Sequence, residues 1–338
     1  MIVSFAIVAY NEEKTLPRLL ADLKGQDYPH EKIQVLLIDS MSTDGTWKIM
    51  EDFARENRDF QQVLVLKNPG KNIPCGHNVA LDHYTGDALI RVDAHASCPA
   101  EFIRKNVEVL QSGEMVCGGR RPNIIDEPTP WKQTLLTAEQ SMFGSSIAPY
   151  RNGSKKTYTK SLFCGMYRRE VYDTVGRYDE RLPRTEDNDM TYRVRQAGYK
   201  LCFCPDILFY QHTRNSLGKM LRQKYLNGYW IGRTMAINPG CFSLFHFVPF
   251  AFVMGILLTT ALALLDFPWL SLLMWGAYGA LVVGISVLEI TRKPLLTNLA
   301  LPVLFLLLHV SYGAGTFVGL VKMMVLGTQD LDKEKRRQ

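Results

Sequence analysis

MIVSFAIVAYNEE, residues 1–13, is the stretch whose reading decides the fold. Residues 2–9 form a short apolar run rich in β-branched and aromatic side chains, which reads as a strand. Polar residues follow at once. Asn11 can cap a helix that carries Glu12 and Glu13 in its first turn and Leu16, Leu19, Leu20 and Leu23 on one face. The run is too short and wrongly flanked for a signal peptide, so the domain it opens is expected to stay in the cytoplasm.

The same unit recurs downstream. Residues 33–38, 63–66 and 88–92 read as strands, and residues 42–57 and 73–84 as helices between them. Short apolar strands alternating with amphipathic helices predict βαβ units around a parallel sheet. Ligands gather at the carboxyl ends of such strands. The polar residues predicted there are Asn11, Glu12, Asp39, Asp93 and His95. Beyond residue 100 the pattern loosens. It predicts a helix closing at 107–110, a strand at 115–117, a helix at 131–143, a polar basic loop at 150–159, strands at 162–166 and 200–204, and a helix at 187–197.

The composition divides the chain. With 47% hydrophobic and 21% charged residues it is neither disordered nor of low complexity, yet the mean hydropathy of -0.06 describes neither half. Between residues 242 and 326 the only charges are Asp266, Glu289, Arg292, Lys293 and Lys322. Three candidate membrane spans fall there, at about 243–265, 267–288 and 298–321, each close to the ~20 apolar residues a bilayer needs. The turn at Asp266, Phe267 and Pro268 makes the first two a hairpin. The net charge of +6 is positional: Lys219, Arg222, Lys224 and Arg233 precede the apolar region, and Arg292 and Lys293 follow the second span. Such clusters mark a cytoplasmic membrane face, and no nucleic-acid motif accompanies them. Lys333 to Arg337 conflict with a three-span count: either the third segment is re-entrant or broken near 309–315, or the positive-inside rule is overridden. The seven cysteines are scattered without a CxxC pair, which predicts small buried thiols rather than a zinc site.

Four motifs carry chemistry, in this order: Val8-Ala9-Tyr10-Asn11-Glu12-Glu13; Leu37-Ile38-Asp39-Ser40-Met41-Ser42-Thr43-Asp44-Gly45-Thr46; Arg91-Val92-Asp93-Ala94-His95-Ala96; and Thr185-Glu186-Asp187-Asn188-Asp189. Together they resemble glycosyltransferase family 2 over about residues 3–235, and the Asp-Ala-His form looks closest to the membrane-anchored succinoglycan-type branch. The resemblance implies an α/β fold of the GT-A nucleotide-diphospho-sugar transferase type, a Rossmann-like mixed sheet followed by C-terminal transmembrane helices. It implies residues 1–215 as a cytoplasmic catalytic domain, 216–240 as an amphipathic interface helix, 241–326 as the membrane region and 327–338 as a basic tail.

The resemblance also assigns residues. Ala9, Tyr10, Asn11, Glu12, Asp39 and Asp44 would hold the nucleotide of a UDP- or GDP-sugar, with Arg91, Asn78 and Asp93 on the sugar nucleotide. A carboxylate at a strand end can accept hydrogen bonds from a base imide or a ribose hydroxyl. Asp93 and His95 alternate along an extended segment, so both can face one Mg²⁺ or Mn²⁺ that neutralises the leaving diphosphate. The family more often has a second Asp where His95 stands. His212 is a further candidate near the metal. Asp187 takes the role of general base and Glu186 positions acceptor or loop; an ordinary helix start rich in acids is the plainer alternative. The family often shows Arg-Asn at the place of His77 and Asn78, and a core contact is the alternative for either. Arg222, Lys224 and Trp230, on a helix over 216–236, are candidates for diphosphate or acceptor, against a solvated basic face.

These readings predict an inverting, metal-dependent transferase at the inner (cytoplasmic) membrane with a lipid-linked, polyprenyl-type acceptor in cell-surface polysaccharide synthesis. The alternatives are a processive polysaccharide synthase, which needs more spans, and a non-catalytic nucleotide-binding membrane scaffold. A Rossmann dehydrogenase is disfavoured because no GxGxxG follows the first strand. No nucleic acid partner is expected, and the sequence leaves the oligomeric state open.

Overall fold

The computed structural model describes residues 1–144, 153–213, 216–328 and Leu331. They fall into two compact units. The first comprises residues 1–124 and 148–212 with the C-terminal residues from 330, and the second residues 125–147 and 213–329.

The first unit runs β1 (Val3–Ala9), α1 (Leu16–Lys24), β2 (Ile33–Asp39), α2 (Thr46–Glu56), β3 (Gln62–Lys67), α3 (Ile73–His83), β4 (Ala88–Asp93), β5 (Ala96–Ser97), α4 (Phe102–Gln111), β6 (Val116–Arg120) and β7 (Asn123–Ile124). After α5 (Pro130–Gln140), which belongs to the second unit, come β8 (Thr157–Thr159), β9 (Met166–Arg168), α6 (Arg169–Val175), α7 (Glu186–Gln196), β10 (Leu201–Leu208) and β11 (Tyr210–His212). The large sheet has the order β3-β2-β1-β4-β9-β6-β10-β8, and β5-β11-β7 form a small second sheet. Strands β1 to β4 are parallel, whereas β9 runs antiparallel to β4 and β6, and β8 antiparallel to β10. The sheet is therefore mixed.

Its strands are apolar on both faces because both faces are covered. Phe5, Ile7, Val35 and Leu37 pack with Leu16, Leu19 and Leu23 of α1 and with Phe102 and Val107 of α4. Ala6, Leu36 and Ile38 face Ala80 of α3, Val171 of α6 and Met190 of α7. All seven cysteines are buried and none forms a disulfide, as expected. Two expectations fail. The strand expected at 162–166 is confined to Met166–Arg168. Within the polar stretch 150–159, residues 150–152 lie outside the described residues, and Thr157–Thr159 is the edge strand β8 rather than loop.

The second unit contains α8 (Leu217–Thr234), α9 (Val248–Leu264), α10 (Trp269–Arg292) and α11 (Leu301–Leu326). Among the described residues, three helical stretches are long and apolar enough to cross a membrane: Leu244–Leu264, Trp269–Arg292 and Leu296–Leu326. Helices α9 and α10 form the expected hairpin, with Phe252 stacked on Tyr278 at 4.4 Å. Helix α11 runs unbroken through His309 and Gly315, so the break considered there does not occur. The tail from Lys333 to Arg337 lies outside the described residues.

Helix α8 differs from the expected surface-lying helix. Its C-terminal half is buried, and it meets α11 backbone to backbone. A Cβ placed on Gly228 would come 2.1 Å from the Tyr312 carbonyl oxygen, and one on Gly319 would come 2.1 Å from that of Tyr229. Gly315 is as tight, at 2.0 Å from the Tyr225 carbonyl oxygen. Small residues at such a crossing let two helices approach closely, as in membrane helix pairs.

Candidate active site

The register of the sheet sets the site. Ala9 lies opposite Asp39, and Val8 opposite Asp93, so the carboxyl ends of β2, β1 and β4 form one edge. The two loops leaving β1 and β2 are stitched together there. Asn11 has φ 54°, a left-handed conformation that Asn adopts more readily than most residues. Its N–H donates to Ser42 Oγ (3.0 Å) and its Oδ1 accepts from the Thr43 N–H (2.8 Å). It does not cap α1, which starts at Leu16. The Glu12 N–H donates to Thr46 Oγ1 (2.8 Å), and the Gly45 N–H donates to Glu13 Oε2 (2.8 Å).

Asp44 accepts from the Thr46 N–H and hydroxyl and from the Glu13 N–H. Slight desolvation raises its carboxyl, but these hydrogen bonds from Thr46 and Glu13 outweigh it and hold the group below the usual carboxylate range. Asp39 is buried and accepts from the Ser42 N–H (3.1 Å). Asn11, Glu12, Asp39 and Asp44 thus shape the loop pair with these bonds, around a shallow polar depression that Asn11, Glu12, Glu13 and Asp44 line. Tyr10 beside it is half exposed, while Ala9 is buried.

Strand β4 ends at Asp93, and a turn at Ala94 and His95 separates it from β5. The extended run expected across Asp93 and His95 is therefore interrupted. Both residues are partly exposed between buried neighbours, and His95 Nδ1 lies 3.4 Å from Glu12 Oε1. His212 on β11 instead places Nε2 3.0 Å from Ser97 Oγ, in the small sheet. No group of three or more His, Cys, Asp or Glu side chains suited to a metal occurs among the described residues. Mg²⁺ commonly takes one or two carboxylates and fills its shell from substrate phosphates and water. Asp93 and His95 are the side chains here that would contribute a carboxylate and an imidazole to such a shared ion.

Helix α7 opens with Glu186 and Asp187 after Thr185. Asp187 Oδ1 accepts from Arg91 Nη2 at 2.7 Å, a charge-assisted bond between β4 and α7. The Arg91 side chain is 7% exposed and that of Asp187 32%. Arg91 Nη1 lies 2.9 Å from His77 Nδ1, and its guanidinium sits 4.6 Å over the Tyr178 ring. Burial, helped by the Arg91 charge, holds the His77 imidazole well below its usual value, so the neutral ring accepts from Arg91. Glu186 is buried and its Oε2 has no hydrogen-bond partner. Burial first, and the Asp187 charge second, push its carboxyl up to about 8. The charges of Asp93, Arg91 and Asp187 all act on Glu186, which places these four groups in one electrostatic neighbourhood.

Two residues assigned to the sugar nucleotide make their hydrogen bonds inside the fold. Arg91 is enclosed, with its fork turned to Asp187 and His77. Asn78 is buried and used on both sides: Nδ2 donates to the Tyr178 carbonyl (3.0 Å), and Oδ1 accepts from the Tyr178 N–H (2.9 Å). In the second unit, Trp230 is fully enclosed and packs edge-on against Tyr229, so it is a packing residue. Lys224 is buried on the same helix, and Arg222 is exposed. Sequence reading missed Tyr178, whose ring covers Arg91 from a loop outside every motif.

Residues 4–176 match glycosyl transferase family 2. The chain belongs to this family. The matched stretch ends before Glu186 and Asp187. A relative from Methanococcus voltae, a dolichyl N-acetyl-alpha-D-glucosaminyl phosphate 3-beta-D-2,3-diacetamido-2,3-dideoxy-beta-D-glucuronosyltransferase, is 25% identical over 95% of this chain and 97% of its own. The succinoglycan biosynthesis protein ExoA of Rhizobium meliloti (strain 1021) is 26% identical over 67% of each. Among solved structures, the mannosyltransferase PcManGT from Pyrobaculum calidifontis, in complex with GDP-Man and Mn²⁺, shares the fold with a TM-score of 0.59 at 16% identity, over 92% of this chain and 86% of its own. This family 2 member is a glycosyltransferase with a GT-A-like mixed sheet, followed by three helices able to span a membrane.

Proposed function

We propose that the protein is an inverting, metal-dependent glycosyltransferase. It moves a sugar from a UDP- or GDP-sugar to a membrane-associated acceptor of the polyprenyl-linked saccharide type, in cell-surface polysaccharide synthesis. Residues 1–215 form the catalytic domain on the cytoplasmic face, and 241–326 hold it at the inner membrane. The printed names of the relatives support this reading: one acts on a dolichyl-linked sugar phosphate and one serves succinoglycan synthesis. The fold relative solved with GDP-Man and Mn²⁺ supports the donor class and the ion.

The observation that carries the chemistry is the state of Asp187. One carboxylate oxygen is anchored by Arg91, and the side chain is 32% exposed, which supports offering the other oxygen to an acceptor hydroxyl. A sugar hydroxyl is a weak nucleophile, and removing its proton during attack lowers the barrier. The acceptor oxygen forms a bond to the anomeric carbon as the bond from that carbon to the diphosphate oxygen breaks. The acceptor proton passes to Asp187, and the nucleoside diphosphate leaves with the bonding pair. Attack from the face opposite the leaving group inverts the anomeric centre. Asp93 and His95 are the residues that would hold a divalent ion, which would supply counter-charge to the leaving diphosphate.

Asp187→Asn tests the base. Turnover is expected to fall by about 10² to 10⁴ with nucleotide affinity retained. Turnover at the parent rate in that variant overturns the assignment.

A further inference from the structure

We propose that Arg91 is a positioning residue for the reaction: a buried guanidinium, caged by His77 and Tyr178, holds Asp187 in the one orientation that offers its second oxygen to the acceptor. The inference rests on the reading of Asp187 as the base.

The cage is built in three layers. Asn78 on α3 pins the Tyr178 backbone from both sides, through its carbonyl and its N–H. The Tyr178 ring lies under the Arg91 guanidinium at 4.6 Å and beside the His77 ring at 5.0 Å. His77 receives Nη1 at 2.9 Å. Arg91 itself leaves a core strand between the buried Ile90 and Val92. With Nη1 turned to His77, Nη2 meets Asp187 Oδ1 at 2.7 Å.

A cation enclosed to this extent is expensive unless it is paired. The partner is a carboxylate at the start of α7 that stays 32% exposed rather than a core anion. Partial exposure spares the anion some desolvation, and it also leaves one oxygen reachable while Arg91 fixes the other. The neighbouring Glu186 makes no such pair: its Oε2 is buried without a hydrogen-bond partner. The cage also explains why Arg91 is not available to the donor nucleotide: both ends of its fork are occupied inside the fold.

The test uses full-length protein in membranes. The variants are Arg91→Met, Arg91→Lys, His77→Phe and Asp187→Asn, with turnover measured beside the affinity for UDP and GDP. A base displaced by about 1 Å loses about a hundredfold in rate, so Arg91→Met is expected to lower kcat about a hundredfold while nucleotide affinity stays within about threefold. Arg91→Lys, which restores a cation and a donor, is expected to recover at least about tenfold over the Met variant. His77→Phe keeps the ring and removes the acceptor that aims the fork, and is expected to lower kcat about tenfold. It also reads the proposal if Arg91→Met fails to accumulate as folded protein.

The proposal is overturned if kcat of Arg91→Met stays within about threefold of the parent, or if the Lys variant is no better than the Met variant. It is also overturned if nucleotide affinity falls in step with kcat, which returns Arg91 to the donor. An active Asp187→Asn removes the base itself and the proposal with it. An inactive Asp187→Asn beside a fully active Arg91→Met removes only the role of Arg91.

Discussion

Glu186 and Asp187 are adjacent carboxyls with opposite environments. Asp187 keeps one oxygen on Arg91 and reaches solvent, while Glu186 is buried with an open Oε2 and a carboxyl pushed up to about 8, by burial first and the Asp187 charge second. Pairs separated in this way divide the roles of proton acceptor and neutral neighbour. A stability consequence follows from the sign. The folded state keeps a proton on Glu186 that the unfolded chain releases near 4.5. That contribution is whole below the unfolded value and is lost as pH rises towards 8. Glu186→Gln is expected to flatten the decline in melting temperature between about pH 5 and about pH 8.5. A decline as steep as in the parent contradicts this protonation state. At this scale the sequence marked Asp93, Glu186 and Asp187, because acids at strand and helix ends stand out in a motif. The fold partners of Arg91 and Asn78 were not readable because they are remote: Arg91 bonds Asp187 across 96 positions, and Asn78, for which a core contact was the alternative, bonds Tyr178 across 100.

Elements fixed by local pattern were legible, and elements fixed by pairing were not. Strands β1, β2 and β4 are continuous apolar runs, so they announce themselves. Strands β8 and β9 have three residues each and exist because β10, β4 and β6 accept them. Helix α8 shows the same limit. Its basic and aromatic residues read as a helix for the headgroup layer, yet Gly228 and Gly232 let its backbone lie on Gly315 and Gly319 of α11. Gly228→Val and Gly319→Val are expected to lower stability in detergent by at least about 1–3 kcal/mol, because the atoms they meet are backbone and cannot move aside. Gly276→Ala is the control: beyond its own helix no atom lies within 4 Å of its new Cβ, so its melting temperature should equal or exceed the parent's. Equal melting temperatures for all three variants contradict the close helix pair.

At the scale of the molecule, hydropathy alone divided the chain, because a bilayer-length apolar helix differs from a soluble strand in length as well as composition. The order of the mixed sheet was not readable, since nothing local to β9 says that it lies between β4 and β6. The strand-end edge was readable in kind: parallel strands ending in Ala9, Asp39 and Asp93 converge wherever the register aligns them, and it does. That edge, with Asp187 as a base held by Arg91, makes one claim about the product. A single displacement leaves the new glycosidic bond with the anomeric configuration opposite to that of the donor. The direct measurement is NMR of the anomeric proton in the product formed by membranes carrying the full-length protein, from whichever UDP- or GDP-sugar they turn over with Mg²⁺ or Mn²⁺ present. Inverted configuration, with no product from Asp187→Asn, is the predicted result; retained configuration contradicts the account.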